Sequence, residues 1–133
     1  MADHRIVIFR IRRPRVQTLN DELQWFCNSL GLFNLRDKDR SMFRLFIELL
    51  KASKENSSLS SDELAFRLTL TRGTVMHHVN KLIDAGLVVP EHKRYALREH
   101  NLQVLLDKVK DDFERAYDEL QKAAKEIDEK LGI

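Results

Sequence analysis

Hydrophobic and polar positions change period several times along this chain. In "RIVIFRIRR" the β-branched and aromatic residues run together, arginine recurs at alternate places from Arg10, and Pro14 closes the run, so residues 5–12 are expected to form a strand. From Thr18 the period becomes helical: Leu19, Leu23, Phe26, Cys27 and Leu30 share a face, Thr18 is placed as the cap with Asp21 three residues on, and Gly31 is the stop. Residues 36–55 carry Met42, Phe43, Leu45, Phe46, Ile47, Leu49 and Leu50, an apolar stripe too broad for a helix with one neighbour, which predicts the central core helix.

Ser60 and Glu63 then form a capping box for a short helix that buries Leu64, Ala65 and Leu68. The stretch "LTRGTVMHHVNKLIDAGLV", residues 70–88, predicts a helix capped by Thr71 and ended by Gly86. Two short β-like runs follow, Leu87–Val89 and Tyr95–Leu97, around a basic tip at Pro90–Arg94. Finally Leu102, Leu106, Val109, Phe113, Ala116, Leu120, Ala123 and Ile127 step by four and three alternately, the period of a coiled-coil seam on a rod roughly 50 Å long. The expected division is an N-terminal strand and helix at 1–36, a compact unit at 37–98 and a dimerisation helix at 99–133.

Charge changes this picture more than composition does. The 133 residues carry a formal net charge of only +2, but Glu99–Leu131 holds ten acids against six bases, so the positive charge lies before residue 99. Cys27 is the single cysteine and has no internal disulfide partner, and no apolar run approaches the roughly 18 residues of a membrane span. The start of the chain, acidic early and then arginine-rich, does not fit a cleaved secretory signal. These features predict a cytoplasmic protein without a membrane partner.

On the helix over 71–84, an advance of about 100° per residue clusters Val79, Leu82 and Ile83 around Val75 as the buried face. Gly73, His77, Asn80, Lys81 and Asp84 fall opposite, with Thr74 in the first turn near the exposed side. The second helix of a helix-turn-helix needs small residues early, so that its backbone approaches DNA, and hydrogen-bonding side chains one and two turns on. Gly73, Thr74, His77 and Lys81 meet that need.

The order of helix, capped helix, "TVMHHVNKLIDAGLV" and basic hairpin resembles the winged helix-turn-helix transcription regulators of the arsenical-repressor (ArsR) and antibiotic-resistance-repressor (MarR) kind, found in prokaryotes and archaea. The resemblance covers about Asp37–Arg98. It implies a mainly α fold with a small β wing and a long C-terminal dimerisation helix. It also implies that Thr71, Arg72, Gly73, Thr74, His77 and Lys81 meet the groove and its phosphates, while Lys93 and Arg94 reach out from the wing tip. His78 borders the buried face, as either a packing residue or one more contact.

Other chemistry is poorly supported. His77 and His78 point about 100° apart and do not chelate one ion, and the helix "ELAFRLTL" lacks the cysteines of the metal-sensing members, so neither metal nor cofactor is expected. Cys27 reads as a small buried hydrophobe; Trp25, off the apolar stripe, reads as packing, an effector pocket or a dimer surface. Arg5, Arg10, Arg12, Arg13 and Arg15, with no acid among residues 5–15, are either an arm for phosphates or the solvated side of a paired strand. There is no phosphate-cradling glycine loop and no nucleophile elbow, so an enzyme is not expected. The expectation is a homodimer that binds double-stranded DNA and represses transcription, its effector unknown. A protein-interaction module and an RNA-binding protein remain the alternatives.

Overall fold

The computed structural model describes residues 4–13, 15, 18–33 and 40–133. Pro14 and the expected boundary at 36/37 lie outside them. Among the described residues the elements are α1 (Leu19–Ser29), α2 (Ser41–Lys54), β1 (Leu59–Ser60), α3 (Ser61–Leu68), α4 (Arg72–Asp84), β2 (Val88–Glu91), β3 (Arg94–Leu97) and α5 (Leu102–Leu131). The strands form one antiparallel sheet in the order β1-β3-β2, with Leu59 opposite Tyr95 and Val88 opposite Leu97. This is a mainly helical fold with a small β wing, as the pattern predicts.

Caps fix most of the boundaries. Thr18, Ser60, Thr71 and Asn101 are extended residues whose side chains accept from the amide three positions on, at Asp21, Glu63, Thr74 and Val104. Each bond satisfies an amide that the first helical turn leaves without a backbone partner. Between α3 and α4 the chain turns through Thr69, in the left-handed region at φ 55°, to the cap Thr71.

The core is built around α2, whose Leu45, Phe46 and Leu49 are fully buried. Leu64 and Leu68 of α3, Val75, Val79 and Leu82 of α4, and Val88 and Leu97 of the sheet close over it. Cys27, Leu30 and Phe33 close it from the α1 side, and the Phe33 ring meets Phe46 edge-on at 5.6 Å. No described helix is long and apolar enough to cross a membrane.

Two expectations need correction. The strand over 5–12 is not formed: residues 4–13 have no regular secondary structure and join no sheet. They run instead along α1, the Arg5 amide donating to the Asp84 carbonyl at 2.6 Å and the Phe9 amide to the Ser29 carbonyl at 2.8 Å. A Cβ at Gly31 (φ +74°) would fall on the Val7 carbonyl oxygen, so that glycine is what lets the arm lie so close.

The second correction concerns α5. Val109, expected on a seam between two chains, is 1 % exposed within its own, and Leu102 packs on the same core. The first turns of α5 dock through Leu105 and Val109, so these positions cannot also face a partner. From Phe113 onward every residue is exposed, a free rod of roughly 28 Å to Leu131. Phe113, Ala116, Leu120, Ala123 and Ile127 are exposed on it, and Leu106 is exposed on the docked turns.

Candidate nucleic-acid interface

α4 presents one polar face. Val75, Val79 and Leu82 turn inward, leaving Arg72, Gly73, His77, Asn80 and Lys81 exposed and Thr74 half-buried at the edge. The Thr71 hydroxyl accepts from the Thr74 amide at 3.1 Å and donates to the Thr74 hydroxyl at 2.9 Å, holding the first turn in shape. α1 and α3 place acids in their first turns; α4 has none, so the positive end of its dipole is not neutralised locally. Space around Gly73 is open, and a backbone without a side chain lets a ligand approach the turn closely. Arg72 lies 4.0 Å from Asp62 in a pair exposed on both sides, an attraction too weak to fix the guanidinium.

The two histidines separate. His77 is exposed, whereas His78 turns towards α2 with its Nε2 2.6 Å from the Ser41 Oγ. The inclusion of His78 among the groove contacts is thereby corrected: the helical twist carries it off the polar face and into the α2–α4 contact.

Arg94 is corrected as well. It lies in β3, not at the tip, and its guanidinium donates to Glu63 Oε1 at 2.7 Å, to the Ser58 carbonyl at 2.7 Å and to the Ser58 hydroxyl at 3.0 Å. The Arg94 hydrogen bond holds the Glu63 carboxyl below its ordinary pKa, with the Ser60 cap adding to the effect. Arg94 thus ties the hairpin to the start of α3. The tip proper is His92 and Lys93, both left-handed at φ 51° and 65°, the shape a two-residue hairpin turn requires. Lys93 is exposed there.

Sequence reasoning overlooked what joins hairpin to helices. Ser60 pairs with Arg94 across β1 and β3, so the capping box and the arginine meet only because a two-residue strand puts them in register. The Tyr95 hydroxyl likewise donates to the Met76 sulfur at 3.6 Å, bracing β3 against α4. Only the Ser60–Glu63 spacing hinted at either contact.

Against this geometry, residues 47–89 match the family model described as winged helix-turn-helix DNA-binding. The match makes this segment similar to winged helix-turn-helix DNA-binding domains. The match runs from within α2 through α3 and α4 into β2 and therefore contains the whole polar face of α4. No curated protein and no solved structure matches the chain.

Two features outside the matched segment frame the winged helix. Asp112 of α5 receives Arg98 at 2.7 Å and stands 2.7 Å from the His4 ring, fastening arm, hairpin and α5 together. Burial alone would raise the Asp112 carboxyl, but the hydrogen bonds from Arg98 and His4 outweigh it and hold the group below its ordinary pKa. The same bond to Asp112 raises Arg98. Among the described residues Cys27 has no such partner, and burial pushes its thiol up to about 12, which disfavours the reactive thiolate. The Trp25 indole donates to the Ile11 carbonyl at 3.0 Å with Arg13 over its ring, so this side chain holds the arm.

Proposed function

We propose that this chain binds double-stranded DNA sequence-specifically and regulates transcription as a homodimer. The 37–98 unit reads DNA, and the free part of α5, within 99–133, holds two copies together. One observation carries the reading: α4 offers Arg72, Gly73, Thr74, His77 and Lys81 on an exposed face with no acid before Asp84, with Thr71 shaping its start and Lys93 at the hairpin tip. In a major groove, Thr74 and His77 sit where base edges are read. Arg72, Lys81 and Lys93 sit where phosphates run. Occlusion of a promoter, as in the ArsR and MarR kind the sequence resembles, is the outcome we propose, with the protein at work beside DNA in the cytoplasm.

The test is selection of random-sequence duplex by the purified protein, followed by sequencing at two salt concentrations. A two-fold symmetric motif whose half-sites lie about 34 Å apart is expected. Retention without a motif, lost at the higher salt, would overturn sequence-specific binding.

A further inference from the structure

Two apolar surfaces of this chain are left largely to water. The first is the arm, where Val7, Ile8, Phe9 and Ile11 are each between 43 and 61 % exposed. The arm is a fixed surface: His4 is held at Asp112, the Arg5 and Phe9 amides at Asp84 and Ser29, the Ile11 carbonyl at Trp25, and Arg13 over the Trp25 ring. Arg5, Arg10, Arg12, Arg13 and Arg15 lie on it, all exposed and with no acid among residues 5–15, Arg13 standing 3.6 Å from Glu22 of α1 in an exposed pair.

The second is the distal stripe of α5. At about 100° per residue, Phe113, Leu120 and Ile127 stack along one line with Tyr117, Ala124 and Leu131 beside it. Leu120 and Leu131 are each 68 % exposed. The flanks of that stripe carry Glu114, Glu119, Glu126 and Asp128 against Lys125 and Lys130, while Arg115 and Lys122 fall on the back of the helix. The stripe is therefore apolar with an acidic rim, and the arm is apolar with a basic rim.

Charge decides what each surface meets. Arm against arm sets arginine beside arginine, and stripe against stripe brings Glu119 and Glu126 towards like charges; both are unfavourable. Arm against stripe buries both apolar strips and sets the arm's arginines against a rim in which acids outnumber lysines. Within one chain the arm meets α5 only at its start, His4 against Asp112, and its apolar residues then run along α1 to Ser29 and Trp25, so pairing along the length of the stripe is one between two chains. DNA is a poorer occupant of the arm, which would leave its apolar side chains uncovered. The arm also starts beside Asp84 and Gly86, a helix length of roughly 20 Å from the acid-free end of α4.

We propose that in the homodimer the arginine-rich arm of one protomer, Ile6–Arg13, docks on the acid-rimmed stripe of α5, Phe113–Leu131, of a second copy. The inference rests on the homodimer reading and names the surfaces that make it. Two such contacts form per dimer, related by its two-fold axis.

The test uses two full-length double variants at exposed positions, Arg10→Glu with Arg12→Glu, and Glu119→Arg with Glu126→Arg, checked for unchanged helix content by circular dichroism. In sedimentation each variant alone is expected to weaken dimerisation by about tenfold or more. An equal mixture is expected to restore it, because in the mixed dimer both contacts regain opposite charges. Wild type that sediments as a monomer would overturn the homodimer reading and this inference with it. A wild-type dimer with an undisturbed arm variant, or a mixture that stays monomeric, would overturn the inference alone. So would an arm variant that remains dimeric but loses affinity for random duplex, which would make the arm a nucleic-acid contact.

Discussion

The Nε2 of His78 lies 2.6 Å from the Oγ of Ser41, across the contact between α2 and α4, while the adjacent His77 faces solvent. Neighbouring residues of one type are thus divided by a single helical step between holding the fold and facing a ligand. His78→Ala is expected to lower stability by about 1–2 kcal/mol through the lost hydrogen bond. His77→Ala should leave the melting temperature unchanged and relax base preference in duplex selection. The reverse pattern would exchange their roles.

Lys93 and Arg94, also adjacent, separate in the same way. Lys93→Ala is expected to weaken binding to all duplexes alike and to lower the salt slope by about one, the signature of one lost phosphate contact. Arg94→Ala should lower the melting temperature, because Glu63 and Ser58 lose their partner, and leave the salt slope as in wild type. Titration of duplex at several salt concentrations, with thermal unfolding alongside, checks both.

Asp112 gives stability a dependence on pH. Its carboxyl is held below the ordinary value in the folded chain, so it contributes fully at pH values above that of the unfolded carboxylate, about 3.9, and loses the contribution as pH falls through the folded value. Asp112→Asn should cost about 1 kcal/mol at neutral pH, discounted for the solvent that reaches the cluster. The gap between the two proteins should close as acid unfolding is followed from about pH 5 downward. A gap independent of pH would mean that the cluster with Arg98 and His4 contributes through shape and not charge.

Phe113 is the first exposed apolar residue on the free part of α5. Phe113→Asp is expected to give monomers in sedimentation with the winged helix still folded, since the side chain lies beyond the docked turns. A dimer that survives the change would remove this stripe from the interface.

The sequence by itself determined that helices form here and, for α1, α3 and α4, where they start, because capping and helical periodicity are local: Thr18, Ser60 and Thr71 act on amides three residues away. The polar face of α4 was legible for the same reason. What only the tertiary structure decided involves partners distant along the chain. A strand reads from its alternation, but residues 5–12 join a ladder only if another edge is present, and here they lie along α1 above Gly31 instead. Arg94 looks like a free cation until β1 brings Ser58 and Glu63 to it. The heptad run names every apolar position on α5 equally, yet Val109 belongs to the core and Leu120 to the surface, because burial depends on where the domain ends and the helix continues beyond it.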